Sequence, residues 1–453
     1  MSDLSASDIL CLLGNSSEDW AKSWRWLEER PQGRLIVVLE AESDGENHPR
    51  VTRYLIESPL QIELLARKIA WEAVLLNLEI IGGTGDLLSS FRGCLKRAHL
   101  TANLLLSDAA DFGCFVIKQS IAKKDRPVRD GMKLAGAFRD IPAMIVGAGP
   151  SLKNALPYLP SFQEEVLIFA GGSALNALAI EPHFAASIDK EAPYRKFKQY
   201  PFAETPFCFQ NRMSAENFSL IHGEPILFPD SHFSFLNGQD PFDGGWTVGS
   251  FLIAIATLMG CNPILLVGMD FCYDTAGEKY GDGAISLQET KGLIEVESAK
   301  GNKVLTQPDW LLAHQWIEEW AQLHSKTRFI DATGEGMGFS SSIQTASLSA
   351  LQFAKRGHLR KEVHQAIQKL PFAPPMEWDK WQESLEGCGN KITSALQGNE
   401  EDMKQEMVYE KLLAPLWSIW SHVFERASGS SQLELHQLLF FQKVIEEHLH
   451  AIH

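Results

Sequence analysis

No Cys-x-x-Cys pair, no Gly-x4-Gly-Lys-[Ser/Thr] loop, no Gly-x-Ser-x-Gly elbow and no His/Cys cluster at metal-ligand spacing occurs in this chain. Each absence removes a class of chemistry. Seven scattered cysteines without a pair predict reduced thiols that mostly fill cores, and no metal site. The missing lysine loop excludes a P-loop NTPase, and the missing elbow excludes an α/β-hydrolase nucleophile. Long apolar runs are also lacking: no window approaches the roughly 18 residues of a membrane span, and the most apolar stretch, Phe251 to Gly260, is too short. The first residues lack the basic-then-apolar pattern of a signal peptide, so the expectation is a soluble, cytoplasmic protein. Positive charge is scarce as well. With 41 Lys and Arg against 57 Asp and Glu, the net charge of −16 argues against nucleic acid or an anionic membrane as the main partner. A small anion held by local N–H groups is still allowed.

What is present is a strand–helix rhythm. A chain of 453 residues is too long for one core. Its pattern divides into an N-terminal α/β flank (1–125), a central nucleotide-binding domain (126–345) and a C-terminal helical region (346–453). In the first part, Arg34–Glu40 reads as a strand, while Glu18–Glu29, Pro59–Leu76 and Asp86–Ala122 read as helices. The polar, basic run Lys123–Asp130 reads as a linker. Apolar strands then follow at Ala143–Val146, Val166–Ala170, Phe184–Ile188, Phe207–Phe209, Pro225–Phe228, Pro263–Gly268 and Arg328–Asp331. Helical patterns such as Trp246–Met259 and Asp309–Ser325 stand between them, and Leu293–Glu297 with Lys303–Thr306 reads as an inserted hairpin. The fold class is α/β: a central, open, mostly parallel Rossmann-like sheet, with an N-terminal α/β domain and a C-terminal helical appendage beyond the stiff Pro371–Pro375.

The most informative residues are Ile145-Val146-Gly147-Ala148-Gly149-Pro150-Ser151-Leu152, a buried strand ending in glycines where a helix begins. Free backbone N–H groups at such a turn suit phosphate. Tight packing of strand on helix is the alternative account of the glycines, and the turn argues for a nucleotide site over a mere corner. The third glycine of a dinucleotide fingerprint is absent, since Leu152 stands there. The next strand ends in Gly171-Gly172-Ser173 rather than in a ribose-binding acid, so NAD is disfavoured. Gly172 and Ser173 repeat the strand-to-helix design one unit later, with Ser173 either an N-cap or a ligand contact. Asp189 and Asp270 end two further strands and are expected at the same carboxyl edge, as ribose or Mg²⁺ ligands, as a general base, or as buried structural carboxylates. Gly244-Gly245-Trp246-Thr247 opens the most apolar helix, where either anion binding or close packing explains the glycines. His183 and His314 are read as structural.

Taken in order, Gly147-Ala148-Gly149-Pro150-Ser151-Leu152, Ser187-Ile188-Asp189, Cys261-Asn262-Pro263 through Gly268-Met269-Asp270, Val304-Leu305-Thr306 and Ile330-Asp331 through Gly336 resemble one family. It is that of motility-associated-factor (Maf) glycosyltransferases and 6-hydroxymethylpterin diphosphokinase MptE-like proteins. The resemblance covers about 131 to 345, and the three-part layout is closer to the Maf branch. It implies a sugar-nucleotide site similar to that of bacterial sialyltransferases, and transfer of a nonulosonic acid from a CMP-sugar to a protein serine or threonine. By position, Gly147, Gly149, Pro150 and Ser151 would cradle the donor phosphate, while Ser173, Asp189 and Asp270 would hold ribose, base or acceptor. The chain departs from the family at Met269, where glutamine is common, and at Gly171-Gly172. Two alternatives stand beside it: a pyrophosphokinase using ATP and Mg²⁺ on a hydroxymethylpterin, and a noncatalytic nucleotide-binding scaffold. The partners implied are a nucleotide or nucleotide-sugar and a protein acceptor.

Overall fold

The computed structural model of the chain describes residues 4, 7–41, 48–190, 204–230, 233–274, 293–399, 401–428 and 430–452. It folds as two units, Met1–Asp111 with Lys391–Gln405 and Leu412–Lys443, and Phe112–Asn390 with Glu406–Lys411 and Val444–His453.

The first unit begins with β1 (Ile9–Leu13), α1 (Ser17–Glu29), β2 (Arg34–Leu39), β3 (Val51–Leu55), α2 (Pro59–Glu72), β4 (Leu78–Gly82) and α3 (Asp86–Ala122). Its four strands are parallel, in the order β3-β2-β1-β4. The side-chain period of two buries both faces: Ile9, Cys11, Ile36 and Val38 pack with Ile69 and Phe91, and Leu10, Leu12, Leu35 and Val37 pack with Trp26 and Leu27 of α1. Only β2 of these strands is legible from pattern. The run at β1 is five apolar residues long, and a run that short fits a strand or a buried helix turn equally.

The second unit contains β5 (Arg129–Asp130), β6 (Ala143–Val146), α4 (Leu152–Ala155), α5 (Leu159–Phe162), β7 (Leu167–Gly171), α6 (Ala174–Ala177), β8 (Phe184–Ser187), β9 (Phe207–Phe209), α7 (Ala215–Ser219), β10 (Pro225–Leu227), α8 (Val248–Leu258) and β11 (Ile264–Val267). The expected hairpin follows as β12 (Ile294–Glu297) and β13 (Lys303–Thr306), paired antiparallel. Then come α9 (Pro308–Leu323), β14 (Phe329–Asp331), β15 (Gln344–Thr345), α10 (Leu359–Gln368) and α11 (Trp378–Leu396), the last of which is assigned to the first unit from Lys391 on. The C-terminal helices are completed by α12 (Ala414–Ser428) and α13 (Leu433–Ile452), divided between the two units.

Nine strands form one all-parallel sheet, β15-β14-β11-β6-β7-β8-β9-β10-β5. Successive residues again serve opposite layers. Ala143, Ile145, Ile264 and Leu266 pack with α8, α9 and α10, while Met144, Val146, Leu265 and Val267 pack with α4 to α7. After the edge strand β5 the chain crosses to β6, runs outward from there through β10, and returns along α8 to place β11 on the other side of β6. The strand order therefore reverses between β6 and β11. An open parallel sheet leaves a crevice at such a point, at the carboxyl ends of the strands.

The run 123–130 is not a linker. The Lys123 ammonium is buried and donates to the carbonyls of Asn211 and Met213, and Arg126 donates to those of Ile221 (2.7 Å) and Gly223 (2.9 Å). Arg129 and Asp130 form the edge strand, and Phe372 makes an antiparallel bridge to Arg129. Carbonyls left over beyond β9 and α7 need donors, and these cations supply them. Burial pushes the Lys123 amine down to about 7 from 10.5. Between those values the unfolded chain holds a proton that the folded protein has released, so unfolding takes up a proton and stability rises with pH. Relative to Lys123→Met, the wild type is expected to gain a few kcal/mol of unfolding free energy from pH 7 to pH 10. Parallel denaturant titrations of the two proteins measure this. A pH-independent difference between them would refute it.

Candidate functional site

A cavity of about 330 Å³ opens where the strand order reverses. Its floor is the ends of β6 (Gly147, Ala148, Gly149), β7 (Gly171, Gly172, Ser173), β8 (Ile188, Asp189) and β11 (Gly268 to Cys272). Its far wall comes from the starts of two long helices, Trp246 to Gly249 before and in α8, and Gln307, Asp309 and Trp310 at α9. Six of the eight residues singled out from sequence therefore meet here: Gly147, Gly149, Gly172, Ser173, Asp189 and Asp270. Pro150 and Ser151 do not line the cavity; Ser151 is buried beneath it.

The glycine turn differs from the free phosphate cradle that its sequence suggests. The Gly147 N–H donates to Val267 O (2.8 Å) and the Gly149 N–H to Gly268 O (2.9 Å), extending the β6–β11 ladder. The Ser151 N–H lies 3.3 Å from both carboxylate oxygens of Asp270, and Ser151 Oγ donates to Oδ2 at 2.7 Å. The protein's own anion therefore sits in the turn. The glycines are there for close approach: a Cβ on Gly147 would stand 2.4 Å from Gly268 O, and one on Gly149 would stand 2.0 Å from Asp270 Oδ2.

Neighbouring turns brace this arrangement. Thr333 Oγ1 accepts the Met269 N–H (3.2 Å), Asp331 Oδ1 accepts the Thr333 N–H (2.9 Å), and Asp270 O accepts the Met337 N–H (3.0 Å). Burial raises the Asp331 carboxyl, whose bonds to Thr333 pull the other way. Burial pushes Asp270 up to about 6; the Ser151 bonds lower it and Glu335 adds to the rise. Cys272 also reaches the cavity, but burial, then Asp270 and Asp274, push its thiol to about 12, which removes it as a neutral-pH nucleophile. His183 is structural, accepting the Ile168 N–H at 3.0 Å, and His314 stacks on Phe339.

With the first turn occupied, the long helix that begins at the cavity is α8. α4 and α6 are single turns, whereas α8 has 11 residues and begins at the cavity. Thr247 and Ser250 form a capping box, so the Thr247 and Ser250 N–H groups are taken, and Val248 and Gly249 between them present the first-turn end of the helix. Packing explains the glycines before it: a Cβ on Gly244 would meet Phe251 at 2.9 Å, and one on Gly245 would meet Ser250 Oγ at 2.6 Å. The α9 contribution was missed from sequence. Gln307-Pro308-Asp309-Trp310 reads locally as an ordinary helix start, and only the path of the hairpin brings it here. Gln307 Nε2 donates to the Tyr273 hydroxyl at 2.9 Å. Among the described residues, no group of three or more His, Cys, Asp and Glu gathers to hold a metal, and no helix is long and apolar enough to cross a membrane.

Comparison with known proteins agrees with the resemblance read from the sequence. Residues 122–276 match the family model described as 6-hydroxymethylpterin diphosphokinase MptE-like. A solved Maf glycosyltransferase from Magnetospirillum magneticum AMB-1 superposes with a TM-score of 0.59 at 15% identity, over 98% of this chain and 77% of that one. At that identity the likeness is one of fold. No curated protein matches the chain.

Proposed function

Proceeding from an MptE-like central segment in a Maf-like fold, we propose that the protein is a nucleotide-dependent transferase, a Maf-like glycosyltransferase whose sugar-nucleotide donor occupies the switch-point cavity. The observation that carries this reading is the meeting of Asp189, Asp270, Ser173 and the start of α8 in one cavity at the reversal of strand order. The first turn of α8 receives the leaving phosphate, an electrostatic role that fixed backbone dipoles perform without reorganisation. In this reading Trp246 and Trp310, which line the cavity, stack on the base, and Asp189 accepts from the ribose hydroxyls. Asp270 acts as general base: it takes the proton of the acceptor serine or threonine hydroxyl while that oxygen bonds the anomeric carbon of the nonulosonic acid. The bond from that carbon to the CMP phosphate breaks, and its electron pair leaves with the phosphate.

The family match also supports a second reading, a pyrophosphokinase using ATP and Mg²⁺ on a hydroxymethylpterin. Asp189, Asp270 and Asp309 are the carboxylates lining the cavity, of which the first two are the candidates for such a metal, and Asp270 is already engaged by Ser151. A noncatalytic nucleotide-binding scaffold is the reading left if binding occurs without turnover. Thermal-shift measurements with CMP, CDP, UDP, ATP and a pterin, each with and without Mg²⁺, separate these. CMP at 100 times its Kd is expected to stabilise the protein by about 3 kcal/mol, a shift of several degrees, without Mg²⁺. Stabilisation by ATP only when Mg²⁺ is present would favour the kinase, and no shift with any nucleotide would sink both enzymes.

A further inference from the structure

We infer that the glycine turn serves to hold a catalytic carboxylate rather than a phosphate, and that Ser151 is a positioning residue fixing Asp270 at the cavity wall. Three observations converge on this. Both donors of Ser151, N–H and Oγ–H, go to the Asp270 carboxylate. The residue is buried and outside the cavity, so it is not placed to touch a ligand there. Gly149 leaves room for Asp270 Oδ2 and for nothing larger than a hydrogen on its own Cα. Asp270 itself faces the cavity. The turn thus gives a buried carboxylate a fixed orientation, which is what a general base needs. Where it concerns catalysis, this inference rests on the transferase reading; the Ser151–Asp270 coupling does not.

The groups that bear on the titration of Asp270, beside its burial, are Ser151 from the β6 turn, Glu335 from the turn after β14, and the Asp270 backbone N–H; the Cys272 thiol, two residues along, is neutral throughout this range. The Ser151 bonds favour the ionised carboxylate, so their loss raises its pKa. The sign follows from the folded value lying above the ordinary 3.8. Asp270 contributes stability below the unfolded value, and this is lost as pH rises through the folded value near 6.

The test is a cycle of four proteins, wild type, Ser151→Ala, Asp270→Asn and the double variant, followed by unfolding titrations from pH 3.5 to 8. The wild-type minus Asp270→Asn difference reports the carboxyl directly. In the Ser151→Ala background its midpoint is expected to move up by about half a pH unit, because the folded value rises by about 1 while the unfolded value stays. Ser151→Thr, which keeps the hydroxyl, is expected to restore the wild-type midpoint. Ser151→Gly repeats the deletion without needing side-chain room. In parallel, the acid limb of CMP release from a CMP-sugar should move up with the same variants while KM stays constant. An unchanged midpoint in Ser151→Ala and Ser151→Gly overturns the positioning role. A shifted midpoint with no turnover in the wild type instead overturns the transferase reading and leaves the coupling in place.

Discussion

Gly149→Ala is expected to destabilise the second unit by about 3 kcal/mol. The added methyl would stand 2.0 Å from Asp270 Oδ2, 2.7 Å from its Cγ and 2.8 Å from Gly268 O. None of these atoms is the free end of a flexible chain. Moving the carboxylate breaks its 2.7 Å bond to Ser151, and moving the turn breaks the Gly149 N–H bond to β11. A contrasting substitution is Gly93→Ala in α3, where the new Cβ meets only Arg97 Nη1 at 3.5 Å. That change should stabilise by up to about 1 kcal/mol through helix propensity. Denaturant unfolding measures both. If the contact with Asp270 is the cause, Gly149→Ala combined with Asp270→Ala will be less destabilised than the sum of the two single changes. Additive effects would mean that the glycine is required for another reason.

Asp270→Asn is expected to lower turnover by roughly 10²- to 10⁴-fold, the usual range for loss of a general base, with little change in CMP affinity. Asparagine has the same shape and can still accept from Ser151, so the turn should persist. Wild-type activity should rise with pH through about 6, because Asp270 must be ionised to accept a proton and burial sets its pKa there. The Asn variant should lose that limb along with the rate. CMP release from a CMP-sugar, followed from pH 4.5 to 8.5, measures both effects. Activity within threefold of wild type, or an intact limb near pH 6, would remove Asp270 from the chemistry.

The site was legible in sequence as a place more than as a set of contacts. Strand ends are marked by apolar runs stopping at Gly147, Gly171, Asp189 and Asp270, and parallel connectivity sends those ends to one edge. Which N–H groups stay free there is not a local property. It depends on the register of β11 against β6, which takes the Gly147 and Gly149 amides, and on a carboxylate 119 residues away from Ser151. The basic run at 123–130 misled for the same reason: its charges look solvated until the carbonyls beyond β9 and α7 are placed beside them. The short strands of the first unit were hidden because β1, β3 and β4 are five residues each, too brief for periodicity to decide.

By itself, then, the amino-acid order determined the α/β class, the long parallel sheet, its hairpin insertion and the strand ends where a ligand would lie. Hydrophobic periodicity and glycine punctuation act over a few residues, so these features can be read locally. Tertiary structure alone decided that the glycine turn is filled by Asp270, that α8 and α9 supply the facing wall, and that Ser151 lies beneath the cavity rather than in it. Those outcomes depend on close approach between segments more than a hundred residues apart, and on hydrogen-bond partners that exist only once the sheet has closed around β6 and β11.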